Sequence, residues 1–210
     1  MLKILIAALL ASLLISTNAA ADKTIYQVKS TEADINVLTD KVAHIIGEVN
    51  YFSFRSFQRE MAATATAPGE RLIVIDSTGG YCSYGDKMIE LLERERERGI
   101  TIICFVREKA HSMAFNFLTH CDIRLSTPDS SMLVHKIAYS MLSGRGRLTA
   151  KKLREIADEL DKDDEKYRIA NSKAMGLTLE EYDSYADADT YWTTEDLIRM
   201  KYLHGSGTLE

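Results

Sequence analysis

Three short stretches carry residue types that could make and break an acyl bond. Ser112 stands in Ala110-His111-Ser112-Met113-Ala114, His135 ends Ser131-Met132-Leu133-Val134-His135, and Gly79-Gly80 follows Asp76-Ser77-Thr78. A serine hydroxyl is a weak nucleophile until a base takes its proton, and the oxyanion that forms on attack needs fixed hydrogen-bond donors. Histidine can act as that base near neutral pH. A glycine pair lets backbone amides come close to a ligand. Each feature alone is ordinary, because serine is a common N-cap and Gly-Gly a common turn. Their order is more informative, since each follows an apolar run and together they form the inventory for acyl transfer.

Those runs must be strands whose carboxyl ends share one edge of a sheet, where ligand sites of open α/β sheets lie. Residues 71–76 and 100–106 are nearly continuous apolar runs, the mark of strands buried on both faces. Residues 41–49 read as a further strand, and 122–125 and 132–134 as two short ones. Helices are expected over 53–63, over 83–98 closed by Gly99, and over 112–120. A long charged helix over 149–175 stops at Gly176, Thr178 with Glu181 opens another, and Thr193 opens a last one ending at Gly205. Alternating strands and helices predict one α/β domain of repeated βαβ units around a largely parallel sheet.

The chain has 210 residues, 46% hydrophobic and 27% charged, which suits a folded domain rather than a disordered one. Its net charge is −5, and this acidic balance argues against nucleic acid as a partner. Residues 1–21 combine Lys3, an apolar stretch and a small-residue end at Ala19-Ala20-Ala21, the parts of a secretory signal peptide. Cleavage is expected after Ala21, leaving an exported chain that touches a membrane only if the signal stays uncleaved. Residues 22–40 then form an N-terminal segment, 41–204 the domain, and 205–210 a frayed tail. Cys82, Cys104 and Cys121 lack the paired spacing of a zinc site. Their odd number leaves at least one thiol free unless chains pair, and Cys104 reads as a buried, inert thiol.

From about residue 41 to 204 the chain resembles ClpP, the peptidase subunit family of the Clp protease, with the ClpP/crotonase fold. Asp76-Ser77-Thr78-Gly79-Gly80 is similar to that family's Asn-Ser-Pro-Gly-Gly loop. Ala110-His111-Ser112-Met113-Ala114-Phe115 is similar to Ala-Ala-Ser-Met-Gly-Ala around its nucleophile, with two extra residues before the serine. Ser131 to His135 resembles the strand ending in the family's catalytic histidine, followed here by Lys136-Ile137 instead of Gln-Pro. Residues 179–195 resemble the segment that carries its catalytic aspartate, which falls on Asp189. The resemblance implies a Ser112, His135, Asp189 triad, with oxyanion donors in the amides of Gly80 and Met113. It also implies that the helix over 149–175 is a handle with which copies assemble into a homo-oligomer.

The expectation is therefore an exported serine peptidase cutting short or unfolded polypeptides, without an ATP-driven unfoldase and with no metal or organic cofactor. His111 adjoins Ser112 and would have to fold back to serve it, and His120 lies about 12 Å up the helix. His44 and His204 read as surface or packing residues. Asp187 competes with Asp189. Signal-peptide-peptidase-like enzymes of the same broad fold pair serine with lysine, which draws Lys151 and Lys152 in as alternative bases. A non-catalytic, peptide-binding scaffold and a crotonase-like acyl-CoA enzyme are the rivals outside the peptidase class.

Overall fold

A computed structural model describes residues 25–30, 35–63, 69–138 and 149–210. The export signal expected over residues 1–21 lies outside the described residues. In chain order the first elements are β1 (Tyr26–Ser30), β2 (Ile35–Thr39), β3 (Val42–Val49), α1 (Tyr51–Ala63), β4 (Glu70–Gly80) and α2 (Cys82–Glu97). There follow β5 (Thr101–His111), α3 (Met113–Thr119), β6 (Ile123–Ser126), β7 (Ser131–Val134) and α4 (Ala150–Met175). Last come α5 (Leu179–Asp187), β8 (Thr190–Thr193), α6 (Thr194–Arg199) and β9 (Gly205–Leu209).

The strands form one sheet in the order β2-β1-β9-β6-β5-β4-β3, with β7 added to β5 and β8 to β7. Strands β3 through β6 pair in parallel, as the βαβ order requires, while β1–β2, β1–β9 and β7–β8 are antiparallel. The continuous apolar run of β4 has its reason in two cores. Ile73 and Ile75 face a helix-side core with Phe57, Met88, Leu92 and Phe115. Leu72 and Val74 face a second core with Val28, Val37, Phe105 and Leu125. Successive side chains of a strand point to opposite faces, so a strand covered on both sides must be apolar throughout.

Local signals set the helix ends. The Asn50 side chain accepts from the amides of Phe52 and Ser53, so α1 begins at Tyr51 rather than at Ser53. Thr149 caps α4, and Gly176 ends it in the left-handed region with φ 69. Thr178 with Glu181 forms a capping box, as does Thr193 with Asp196.

Four expectations need correction. The tail over 205–210 is not frayed, because β9 pairs with both β1 and β6. The segment over 22–40 contributes two strands to the same sheet as the domain. The last helix stops at Arg199 instead of running to Gly205. Cys104 is not a free thiol: it forms a disulfide with Cys121, which leaves Cys82 as the free cysteine.

The strand leading to Ser112 is longer than its apolar run, because it carries a bulge. Ile75 pairs with Val106, but Ser77 pairs with Ala110, so Asp76 alone spans the stretch that Arg107, Glu108 and Lys109 span on β5. Arg107 Nη2 donates to Asp76 Oδ2 at 3.0 Å across this bulge. Beyond it Lys109 to His111 pair on their other side with Ser131 to Leu133 of β7, while Ala110 keeps its pairing with β4. The bulge thereby aims the end of β5 at the strand that precedes His135.

Candidate active site

Ser112 occupies the junction of β5 and α3 with φ 54 and ψ −122. A non-glycine residue held at positive φ costs about 1–3 kcal/mol and persists only where its surroundings fix it. Two contacts do so. The Ser112 amide donates to the Leu133 carbonyl at 2.9 Å, tying the turn to β7. Gly79 (φ 80) packs so closely that a Cβ there would sit 2.7 Å from Ser112 Cβ and 2.8 Å from Met113 N. Only glycine fits at that point. The Ser77 hydroxyl anchors this loop by donating to the Gly47 carbonyl at 2.5 Å and accepting from the Gly79 amide at 3.1 Å.

Ser112 stands at the N-cap position of α3, yet its side chain makes no capping bond. Among the described residues its hydroxyl has no hydrogen-bond partner at all. Met113, at the first position of α3, has no intrahelical acceptor for its amide, and its buried side chain fills the space above Gly85 of α2. Gly80 sits differently from Gly79. A Cβ there would come 2.4 Å from the Val49 carbonyl oxygen, so this glycine is required by the close approach of β3.

His135 follows the last residue of β7. Its Nδ1 lies 2.6 Å from the Lys136 carbonyl oxygen, which can only accept, so Nδ1 is the donor in this contact. Asp189 is exposed, at φ 49, in the turn between α5 and β8. The antiparallel register pairs Val134 with Thr190, and His135 and Asp189 are the next residues outward from that pair. On the other side of β7, Leu133 pairs with His111 and accepts from the Ser112 amide. Ser112 thus follows β5, His135 follows β7 and Asp189 precedes β8, three strands paired in the order β5-β7-β8. Among the described residues no hydrogen bond joins Ser112 to His135 or His135 to Asp189.

The rival side chains are engaged elsewhere. Asp187 forms an ion pair with Lys136 at 2.6 Å, which raises the pKa of that lysine. His111 Nε2 lies 2.8 Å from Ser131 Oγ and its ring packs edge-on against Tyr191. Burial, helped by Lys109, holds its pKa below the usual value. His120 is 3.4 Å from Glu93, and its pKa is likewise lowered by burial. His44 contacts Glu60, and His204 accepts from the Arg124 amide. Lys151 and Lys152 are 86% and 55% exposed and pair with Glu155, so neither is the desolvated lysine that a base at neutral pH requires.

Among the described residues no group of three His, Cys, Asp or Glu side chains is placed to hold a metal ion. Two surface depressions, of about 340 and 380 Å³, lie between β2 and the start of β4 and between α2 and α4, and neither is lined by Ser112. No protein-family model and no curated protein matches the chain. The Cys104–Cys121 crosslink brackets the serine turn and the Asp76–Arg107 pair spans the strands that lead to it, and nothing in residue spacing announces either. The polar residues Arg107 to Lys109 interrupting an apolar strand were the one available signal of the bulge.

Proposed function

We propose that this chain is an exported, ClpP-like serine endopeptidase that cleaves short or unfolded polypeptides. The observation that carries the reading is the Ser112 turn: a serine at positive φ, before a helix it does not cap, with a glycine of the neighbouring loop packed against it. Ser112 Oγ attacks the peptide carbonyl while His135 Nε2 takes its proton and returns it to the departing amine. Water then attacks the acyl-enzyme, with His135 again as base, and Ser112 is released. The amides of Gly80 and Met113 receive the oxyanion. Asp189 orients the imidazole once His135 Nδ1–H turns from the Lys136 carbonyl to the carboxylate opposite.

The mixed α/β architecture and the largely parallel sheet support a ClpP-like fold. The disulfide supports export, since such bonds persist in oxidising compartments. The long α4 is the candidate handle of a homo-oligomer, and no unfoldase partner or cofactor is invoked.

A second reading has an observation in its favour. With His135 Nδ1 bonded to its neighbour's carbonyl and Ser112 unbonded, the same fold would serve as a non-catalytic, peptide-binding scaffold. Fluorophosphonate labelling of the processed protein decides between them. The peptidase reading expects labelling that is lost in Ser112→Ala and falls at least about 100-fold in rate in His135→Ala. A folded protein that takes up no label is a scaffold.

A further inference from the structure

The Cys104–Cys121 disulfide joins residues 17 apart in sequence, and Ser112 lies near the middle of the segment it encloses. That segment runs along β5, turns at Ser112 with φ 54, and returns along α3, a helix of 7 residues. So short a helix does not hold itself together, and a backbone at positive φ keeps its shape only when neighbouring structure dictates it. The crosslink closes the open end of this unit. Cys104 is 0% exposed in the sheet, in register with Ile73 and Arg124, and Cys121 is 3% exposed just beyond α3. With the strand and the helix of the unit fastened at the base, the turn at its tip loses the freedom to relax.

We propose that the Cys104–Cys121 disulfide positions Ser112, so that the serine becomes reactive only after the chain has been oxidised. This rests on the reading of Ser112 as nucleophile. Neither cysteine touches the reacting atoms; both are positioning residues acting through the turn. Oxidation proceeds by thiol–disulfide exchange with a low-molecular-weight or protein disulfide. One cysteine thiolate attacks the donor disulfide and expels one donor thiol, and the second cysteine attacks the mixed disulfide and expels the other. Two thiols and one disulfide thus give one disulfide and two thiols. Because both cysteines are buried in the folded chain, the exchange must occur before the core closes. In the folded chain Cys82 stays a thiol, because burial, then Asp163 and Asp86, push its pKa up to about 11.

The test measures the rate of fluorophosphonate labelling of Ser112 in the oxidised protein and in the Cys104→Ala/Cys121→Ala variant. Both are held at a temperature where circular dichroism shows them folded. The expected result is a fall of about tenfold or more in the variant. An unchanged rate in a folded variant with a lower melting temperature marks the crosslink as a structural staple and overturns the inference. If the variant does not fold, labelled wild-type molecules are denatured without reductant and alkylated. One alkylated thiol per labelled molecule is expected, and three would overturn the inference. Oxidised wild-type protein that takes up no label overturns the reading of Ser112 and this inference with it, whereas the other negative outcomes leave that reading standing.

Discussion

At the scale of single residues, the site depends on which glycine does what. Read from sequence, Gly79 and Gly80 were one device for bringing amides to a ligand. In the fold they divide the work: Gly79 yields space to the serine turn and Gly80 to the end of β3. Gly79→Ala should therefore be among the most damaging small changes in the chain. Its Cβ would meet the His111 carbonyl at 2.5 Å as well as Ser112 and Met113, all atoms of the turn rather than the tips of flexible side chains. Overpacking of that kind, added to the positive φ, should cost about 2–4 kcal/mol and abolish labelling of Ser112. Gly47→Ala provides the control, since φ is 73 there but a Cβ would meet nothing within 4 Å. It should cost about 1 kcal/mol and leave labelling intact. Chemical denaturation of the two variants beside wild type checks this, and equal losses would mean the serine turn tolerates the extra methyl. The hydroxyl and the imidazole were readable from sequence because an apolar strand leads to each. The lack of a bond between them was not, because it depends on a rotamer and on the carbonyl of the next residue.

At the scale of elements, burial governs what the sequence reveals. β4 and β5 are legible because both of their faces are covered, so their residues must be apolar in succession. β9 is nearly illegible: Gly205-Ser206-Gly207-Thr208-Leu209 looks like a tail, since its place in the sheet comes from backbone pairing more than from side chains. Even Gly207 has a structural reason, because a Cβ there would fall 1.9 Å from the Lys29 carbonyl oxygen. The strand is nonetheless central to the architecture, with β1 on one side and β6 on the other. Removing residues 205–210 would take away the strand that, among the described residues, bridges the β1–β2 pair and the parallel strands in the sheet order. The hairpin would then be held by its share of the second core alone. Truncation after His204 should cost on the order of 2–3 kcal/mol or more. It should also speed amide exchange at Val28 and Val37, while β4 and β5 keep their protection. Exchange measured by mass spectrometry checks this, and an unchanged hairpin would show that side-chain packing suffices to hold it. The bulge in β5 illustrates the same limit, because its extra residues are plain in the sequence but their pairing with Asp76 and β7 is a property of three strands together.

The largest scale concerns what a single copy leaves uncovered. α4 has 26 residues, yet its buried ones, Tyr167, Asn171, Ser172 and Met175, all lie toward its carboxyl end. There Lys166 and Tyr167 reach Asp86 of α2, and Arg168 reaches Asp183 of α5, so this end is fastened to the body. Among the described residues the amino-terminal half has no such ties. Lys151 and Lys152 pair with Glu155 on the helix's own surface, pairs worth only a few tenths of a kcal/mol in water. Leu153 is 47% exposed there, with Ile156 and Leu160 along the same stripe. A helix half that makes so few contacts within one copy gains most of its stability from packing its apolar stripe against another surface. In the peptidase reading that surface is α4 of a second copy. Light scattering coupled to size-exclusion chromatography should then give a whole multiple of the monomer mass at micromolar concentration. Leu153→Glu with Ile156→Glu should shift that mass to a smaller multiple or to the monomer. Glutamate is a good helix former, and these positions carry little of the protomer's own packing, so the thermal unfolding of the dissociated copies should stay close to that of a dilute wild-type sample. A wild type that runs as a monomer, or an assembly unmoved by both substitutions, would remove α4 from the interface and leave its stripe to bind something else.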